Sequence, residues 1–106
     1  MSEPSSFSDA SLKWLYQAIA EGNITAEELI RSSLSKIQSE NPMLNAVVYI
    51  DEEAALEKAF EADRARSKNE SWGPLHGIPM TIKDSFDSSG IVTTAGTIGR
   101  KKFIPE

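Results

Sequence analysis

Apolar positions near the start of the chain follow a helical repeat. They have the i, i+3, i+4, i+7 spacing of a helix with one buried side. These positions are Leu12, Leu15, Tyr16 and Ile19. Gly22 follows them closely, and glycine weakens a helix. The pattern therefore predicts a first helix that ends near Gly22.

A second helix is predicted to begin at Thr25. Glu28 stands three residues later, which is the spacing of a capping box. The apolar side of this helix then continues with Leu29, Ile30, Leu34 and Ile37. The Asn41-Pro42 pair should end it, because proline cannot continue a helical hydrogen-bond ladder.

Residues 45–50 (NAVVYI) are rich in β-branched and aromatic side chains and predict a short buried strand. Asp51 then has the features of an N-cap for a third helix, with acidic residues in its first turn. The apolar stripe expected on that helix consists of Leu56, Ala59 and Phe60. The polar stretch 67–73 should be an exposed connector.

Beyond Gly73 the chain changes character, because five of its six glycines lie there. Apolar residues at positions 78, 80 and 82 alternate with other side chains, as in a strand. Residues 91–94 (IVTT) predict a return strand after a turn. Helices followed by a strand, a helix and further strands indicate an α/β or α+β fold.

Composition narrows the function classes. The 106 residues make one domain or part of one, and a net charge of −5 disfavours nucleic acid and anionic membranes as partners. The chain has no cysteine and a single histidine, His76, so neither thiolate chemistry nor a histidine-based metal site is expected. The N-terminus has no targeting pattern, which makes the cytoplasm the default location.

Few side chains are candidates for chemistry on residue type alone. Lys83 and Asp84 end the predicted strand at 78–82, but a lysine there is usually a solvated charge. His76 is expected to be a hydrogen-bonded structural residue. The acidic pairs of the third helix fit a solvated face, and the glycines match neither a dinucleotide fingerprint nor a P-loop.

Two linked blocks change this balance. Residues 73–87 read GPLHGIPMTIKDSFD, and residues 90–97 read GIVTTAGT. Together they resemble the N-terminal part of the amidase signature family, and the looser similarity extends from Leu12 to Pro105. The resemblance implies an α/β fold in which N-terminal helices and the first strands belong to a larger mixed sheet. It divides the chain into a flexible start at 1–10, a helix-helix-strand-helix part at 11–68 and a motif region at 73–97.

The same resemblance implies a Ser-cisSer-Lys triad that cleaves carboxamide C–N bonds, with Lys83 in the position of the base. A Lys-activated serine is an accepted variant of the serine triad. Asp84, Gly77 and Thr94 would be supporting or structural residues beside the site. A small amide would be the substrate, and no cofactor is implied.

This chain lacks the family's two serines, which belong to a segment downstream of the Thr-Thr-Ala-Gly stretch. The chain alone should therefore be inactive, since loss of a nucleophile removes most of a triad's acceleration. Two alternatives remain open: part of the amidase subunit of a glutamine-dependent tRNA amidotransferase, or a truncated remnant that only binds a partner. Open sheet edges would favour a complementing chain or self-association.

Overall fold

A computed structural model describes residues 5–84, 86, 89–90 and 104–106. Within them lie one 3-10 turn and three α-helices. The 3-10 turn spans Phe7–Asp9, and the helices are α1 (Leu12–Ala20), α2 (Ala26–Leu44) and α3 (Glu52–Ser67). The predicted return strand at 91–94, which includes Thr94, lies outside the described residues.

The 3-10 turn is held by two hydroxyl groups that bind one carboxylate. Ser5 and Ser6 donate to Oδ2 of Asp9 at 2.7 and 2.9 Å. These hydrogen bonds, that of Ser5 first, lower the pKa of the Asp9 carboxyl below its ordinary value. Among the helices of the described residues, none is long and apolar enough to cross a membrane.

Helix α1 confirms the first predicted helix, although its buried side is narrower than the repeat indicated. Ile19 is buried together with Ala18, whereas Leu12 and Tyr16 are 55% and 44% exposed. The buried residues of α1 form one small core with two residues outside the helix, Ile24 and Leu29. The core therefore lies between the end of α1 and the start of α2.

The start of α2 carries the predicted capping box. The Thr25 hydroxyl accepts the Glu28 backbone N–H at 3.0 Å, and the Glu28 carboxylate accepts the Thr25 N–H at 2.9 Å. A second cap comes from α3: the Asp63 carboxylate accepts the N–H groups of Ala26 and Glu27 at 2.7 and 3.1 Å. The three N–H groups that open α2 all have acceptors, which removes the usual cost of a helix start.

The predicted end of α2 at Asn41-Pro42 is wrong, because the helix continues through Pro42 to Leu44. Proline lacks an N–H and so costs one ladder bond, but this loss falls in the last turn. Asn45 then closes the helix in the left-handed conformation at φ 48°, and its N–H donates to the Asn41 carbonyl.

Helix α3 begins as predicted, with the Asp51 carboxylate accepting the Ala54 N–H at 2.9 Å. Its buried side differs from the prediction: Phe60 is 44% exposed, and the buried residues are alanines. These are Ala59, Ala62 and Ala65. Ala59 and Ala62 pack with Ala26 at the start of α2. Small side chains let the two helix axes approach closely.

The predicted α/β class is wrong for the part of the chain that the structure describes, where residues 45–50 and 78–83 form no strand. A strand needs a neighbour to bond its main chain, and a lone strand pair is marginal in water. The Asn41 side chain takes the place of a neighbour, since its amide bonds both the N–H and the carbonyl of Val47 at 2.9 and 2.8 Å. The β-rich composition therefore does not produce a sheet here.

Candidate functional site

The motif segment begins with two overlapping turns. The His76 N–H donates to the Gly73 carbonyl at 3.1 Å, and the Ile78 N–H donates to the Leu75 carbonyl at 3.0 Å. Gly77 adopts φ +76°, in the left-handed region that favours glycine. The turns direct the segment back onto α1 and α2.

Gly77 lies against the junction of α1 and α2. A Cβ at this position would be 3.1 Å from Cβ of Ala26 and 3.4 Å from Cδ1 of Ile19. Ala26 and Ile19 are both buried, at 1% and 3% exposed. The next residue, Ile78, packs on the same core. The glycine thus permits a close approach of backbone to helix that a larger residue would block.

His76 connects the motif segment to α3. Its Nδ1 accepts the Trp72 N–H at 3.0 Å, and its Nε2 lies 2.7 Å from the Ala62 carbonyl. This arrangement requires the neutral ring with the proton on Nε2, because a carbonyl only accepts. Both ring nitrogens are occupied, which confirms the interpretation of His76 as a structural residue.

The end of the segment that carries Lys83 lies at the surface. Met80 and Ile82 are 72% and 64% exposed, and Lys83 is also exposed. The Lys83 carbonyl accepts the Phe86 N–H at 3.0 Å, so a turn follows directly. Asp84, next along the chain, is half-buried. The amine of Lys83 is therefore open to any group that packs over this end.

The structure does not bring the four sequence-predicted site residues into one place. Gly77 contacts the helices, whereas Lys83 and Asp84 lie in the exposed end, and Thr94 lies outside the described residues. Sequence reasoning missed the contact residue Ala26. It also missed the partner of His76, because a main-chain carbonyl leaves no signal in side-chain identity.

An apolar groove of about 380 Å³ runs beside the motif segment. Its walls come from α1, α2, the stretch after α2 and the start of the motif, and include Leu15, Leu29, Ile37, Val47 and Ile78. Lys36 and Glu40 also line it. The groove continues the core outward and ends next to Pro79, where the exposed part of the segment begins.

Comparison with protein families decides the assignment. Residues 28–106 match the family model described as Amidase. The chain belongs to the amidase family. This confirms the resemblance carried by residues 73–87, and the match includes α2, α3 and the whole motif region. The chain is thus a segment of amidase sequence, helical wherever the structure describes regular elements.

Curated relatives of this amidase segment share one name, the A-subunit of glutamyl-tRNA(Gln) amidotransferase. The protein of that name from Chloroflexus aurantiacus is 42% identical over 80 residues, covering 76% of this chain and 16% of that protein. The mitochondrial protein of Homo sapiens is 39% identical over 95 residues, covering 90% and 18%. That of Synechococcus sp. is 32% identical over 97 residues, covering 92% and 20%. The chain therefore spans no more than 20% of the length of these relatives.

Proposed function

We propose that this amidase segment supplies Lys83 as the base of a carboxamide-cleaving site, and that the two serines come from amidase sequence beyond the matched stretch. The observation that carries the proposal is the position of Lys83. It ends a motif that matches the family, and it follows a stretch fixed to α1 and α2 through Gly77 and Ile78. Its own side chain is exposed. A rigid start and an open end suit a residue that meets groups from elsewhere in the protein.

The chemistry that the family implies requires a neutral amine at Lys83. A serine hydroxyl attacks the carboxamide carbon, and its proton passes through the bridging serine to the amine. The C–N bond then breaks, and the leaving nitrogen takes that proton away. Water attacks the resulting acyl-serine and releases the acid. Asp84 and Gly77 position this stretch of backbone without exchanging protons.

A second candidate is favoured by the names of the relatives. The three relatives described above are all A-subunits of a glutamyl-tRNA(Gln) amidotransferase. In this version, the nitrogen released from an amide donor such as glutamine is handed to another protein chain, which joins it to glutamyl-tRNA(Gln). Residues around Lys83 would perform the same C–N cleavage in both versions.

A chimera tests the proposal directly. The matched 80 residues of the Chloroflexus aurantiacus relative are replaced by the corresponding residues of this chain. Ammonia release from glutamine is then measured with and without Lys83→Ala. We expect the chimera to be active and the variant to lose about 10³-fold or more in kcat, the scale of general-base and nucleophile-activation effects. The isolated 106-residue chain should release no ammonia.

Lys68→Ala is the matched control, since Lys68 is an exposed lysine at the end of α3. It should leave kcat within about twofold, as expected for a surface substitution. An active chimera in which Lys83→Ala also retains full activity would refute the role of Lys83. A chimera that folds and binds the other subunits but releases no ammonia would favour a remnant that acts only as a binding partner.

A further inference from the structure

A second cavity lies on the other side of α1 from the apolar groove. It has a volume of about 270 Å³ and lies between the end of α1, the end of α3 and the connector that follows α3. The residues that line it include Tyr16, Ile19, Arg66, Glu70, Ser71 and His76. Its walls are thus more polar than those of the groove beside the motif.

Arg66 is the unexplained residue in this cavity. Its Nε is buried and has no hydrogen-bond partner within the described residues. Other cations on the helices are paired: Arg31 with Glu27 at 3.0 Å and Lys58 with Glu61 at 3.1 Å. A buried N–H without an acceptor forfeits the hydrogen bond it had with water, so such groups are normally satisfied.

The backbone at the end of α1 makes room for this guanidinium. Gly22 has φ +77°, and a Cβ at this position would lie 2.9 Å from Nη1 of Arg66. That distance is below ordinary contact, so a side chain at position 22 would have to displace Arg66. Gly22 therefore permits the guanidinium to lie against the end of α1 while it lines the cavity.

We propose that this cavity binds a carboxylate through Arg66. The Nε and Nη groups of arginine match the two oxygens of a carboxylate and form paired hydrogen bonds with it. Glu70 lines the same cavity and disfavours anions of higher charge, such as phosphate. His76 contributes no charge, because both its nitrogens are already bonded. The site is independent of the role proposed for Lys83.

The carboxylate can come from a small acid in solution or from an aspartate or glutamate of another protein segment. The protein expressed from its own gene, labelled with ¹⁵N, is titrated with sodium acetate as the small acid. A parallel titration uses N-acetyl-glutamate amide, which carries a glutamate side chain without free termini. Sodium chloride holds the ionic strength constant, and the Arg66 Nε–H and Gly73 amide signals are followed.

We expect a saturable shift of both signals with one or both carboxylates. Arg66→Lys should raise the half-saturation concentration read at Gly73 by about tenfold or more, because lysine lacks the paired donors. The matched control is Arg64→Lys, at an exposed position of the same turn of α3, which should not change it. Tighter binding of the blocked glutamate than of acetate assigns the site to a protein side chain, and equal binding assigns it to a small acid.

A shift that is linear in concentration and equal at Arg64 and Arg66 would overturn the proposal. Tighter binding of inorganic phosphate than of acetate would overturn it as well. Because Arg66→Lys could alter the fold, Gly22→Ala provides a second variant that leaves the guanidinium chemically intact. The added Cβ should displace Arg66 and weaken acetate binding, and unchanged binding in this variant would also contradict the assignment.

Discussion

The motif segment has two halves in different surroundings. The anchored half, residues 73–78, makes two turns, bonds α3 through His76 and places Gly77 against Ala26. The exposed half, residues 80–83, carries Met80, Ile82 and Lys83 with most of their surface in solvent. Both halves belong to one continuous family motif, yet only the first is held by the described residues.

This difference separates positioning from chemistry. The anchored half fixes where the segment leaves the helices, and that task needs glycine at a positive φ and an apolar residue next to it. The exposed half holds the candidate base but gains little from its present neighbours. Stability and catalytic function should therefore respond to different substitutions, and the following predictions test that separation.

The largest effect on stability is expected at Asp63, because the helix junction under the anchored half depends on its carboxylate. Asp63→Ala leaves the N–H groups of Ala26 and Glu27 without their acceptor and should lower the free energy of unfolding by about 3 kcal/mol. Urea unfolding followed by circular dichroism measures the change. Glu57→Ala, at an exposed position of α3, is the control and should cost less than about 0.5 kcal/mol. Equal losses in both variants would show that the junction does not depend on this cap.

A smaller loss is expected for Gly77→Ala. The new Cβ meets Ala26 at 3.1 Å and also strains a backbone at positive φ, so the free energy of unfolding should fall by about 2 kcal/mol. Gly90→Ala separates the two causes, since Gly90 has φ +74° but open space around it among the described residues. It should cost about 1 kcal/mol from backbone strain alone. If the two variants unfold at the same urea concentration, the contact with Ala26 contributes nothing.

The smallest effect is expected in the exposed half. Met80→Ser and Ile82→Ser should each change the free energy of unfolding by less than about 0.5 kcal/mol, because their side chains are already largely in solvent. Ile78→Ser is the comparison within the anchored half and should cost about 1–2 kcal/mol through lost apolar burial. Differential scanning calorimetry on the three variants gives the ranking. A loss at Ile82 as large as that at Ile78 would remove the distinction between the halves.

Local signals in the sequence were sufficient for the helix starts. The capping box of Thr25 and Glu28 and the N-cap at Asp51 are both present, because each involves residues only three positions apart. Family membership was also predictable, since residues 73–87 carry it in one unbroken string. What lies within one turn of helix, or within one motif, could be deduced without coordinates.

Features that depend on distant residues could not be deduced. Asp63 caps a helix that begins 37 positions earlier, and no spacing rule links the two. The β-rich run at 45–50 predicted a strand, but the strand would need a neighbour, and the Asn41 amide bonds Val47 instead. The buried side of α3 was assigned to Phe60, whereas alanines occupy it because α2 packs too closely for larger side chains.

The carboxylate of Asp63 also sets an order of events during synthesis. Helix α2 starts at Ala26, but the acceptor for its first two N–H groups is added only when residue 63 is joined to the chain. Until the ribosome has released that residue, the start of α2 has the Thr25 capping box alone. The complete helix start is therefore an outcome of the docking of α3, and the two helices become one cooperative unit only when both have been translated.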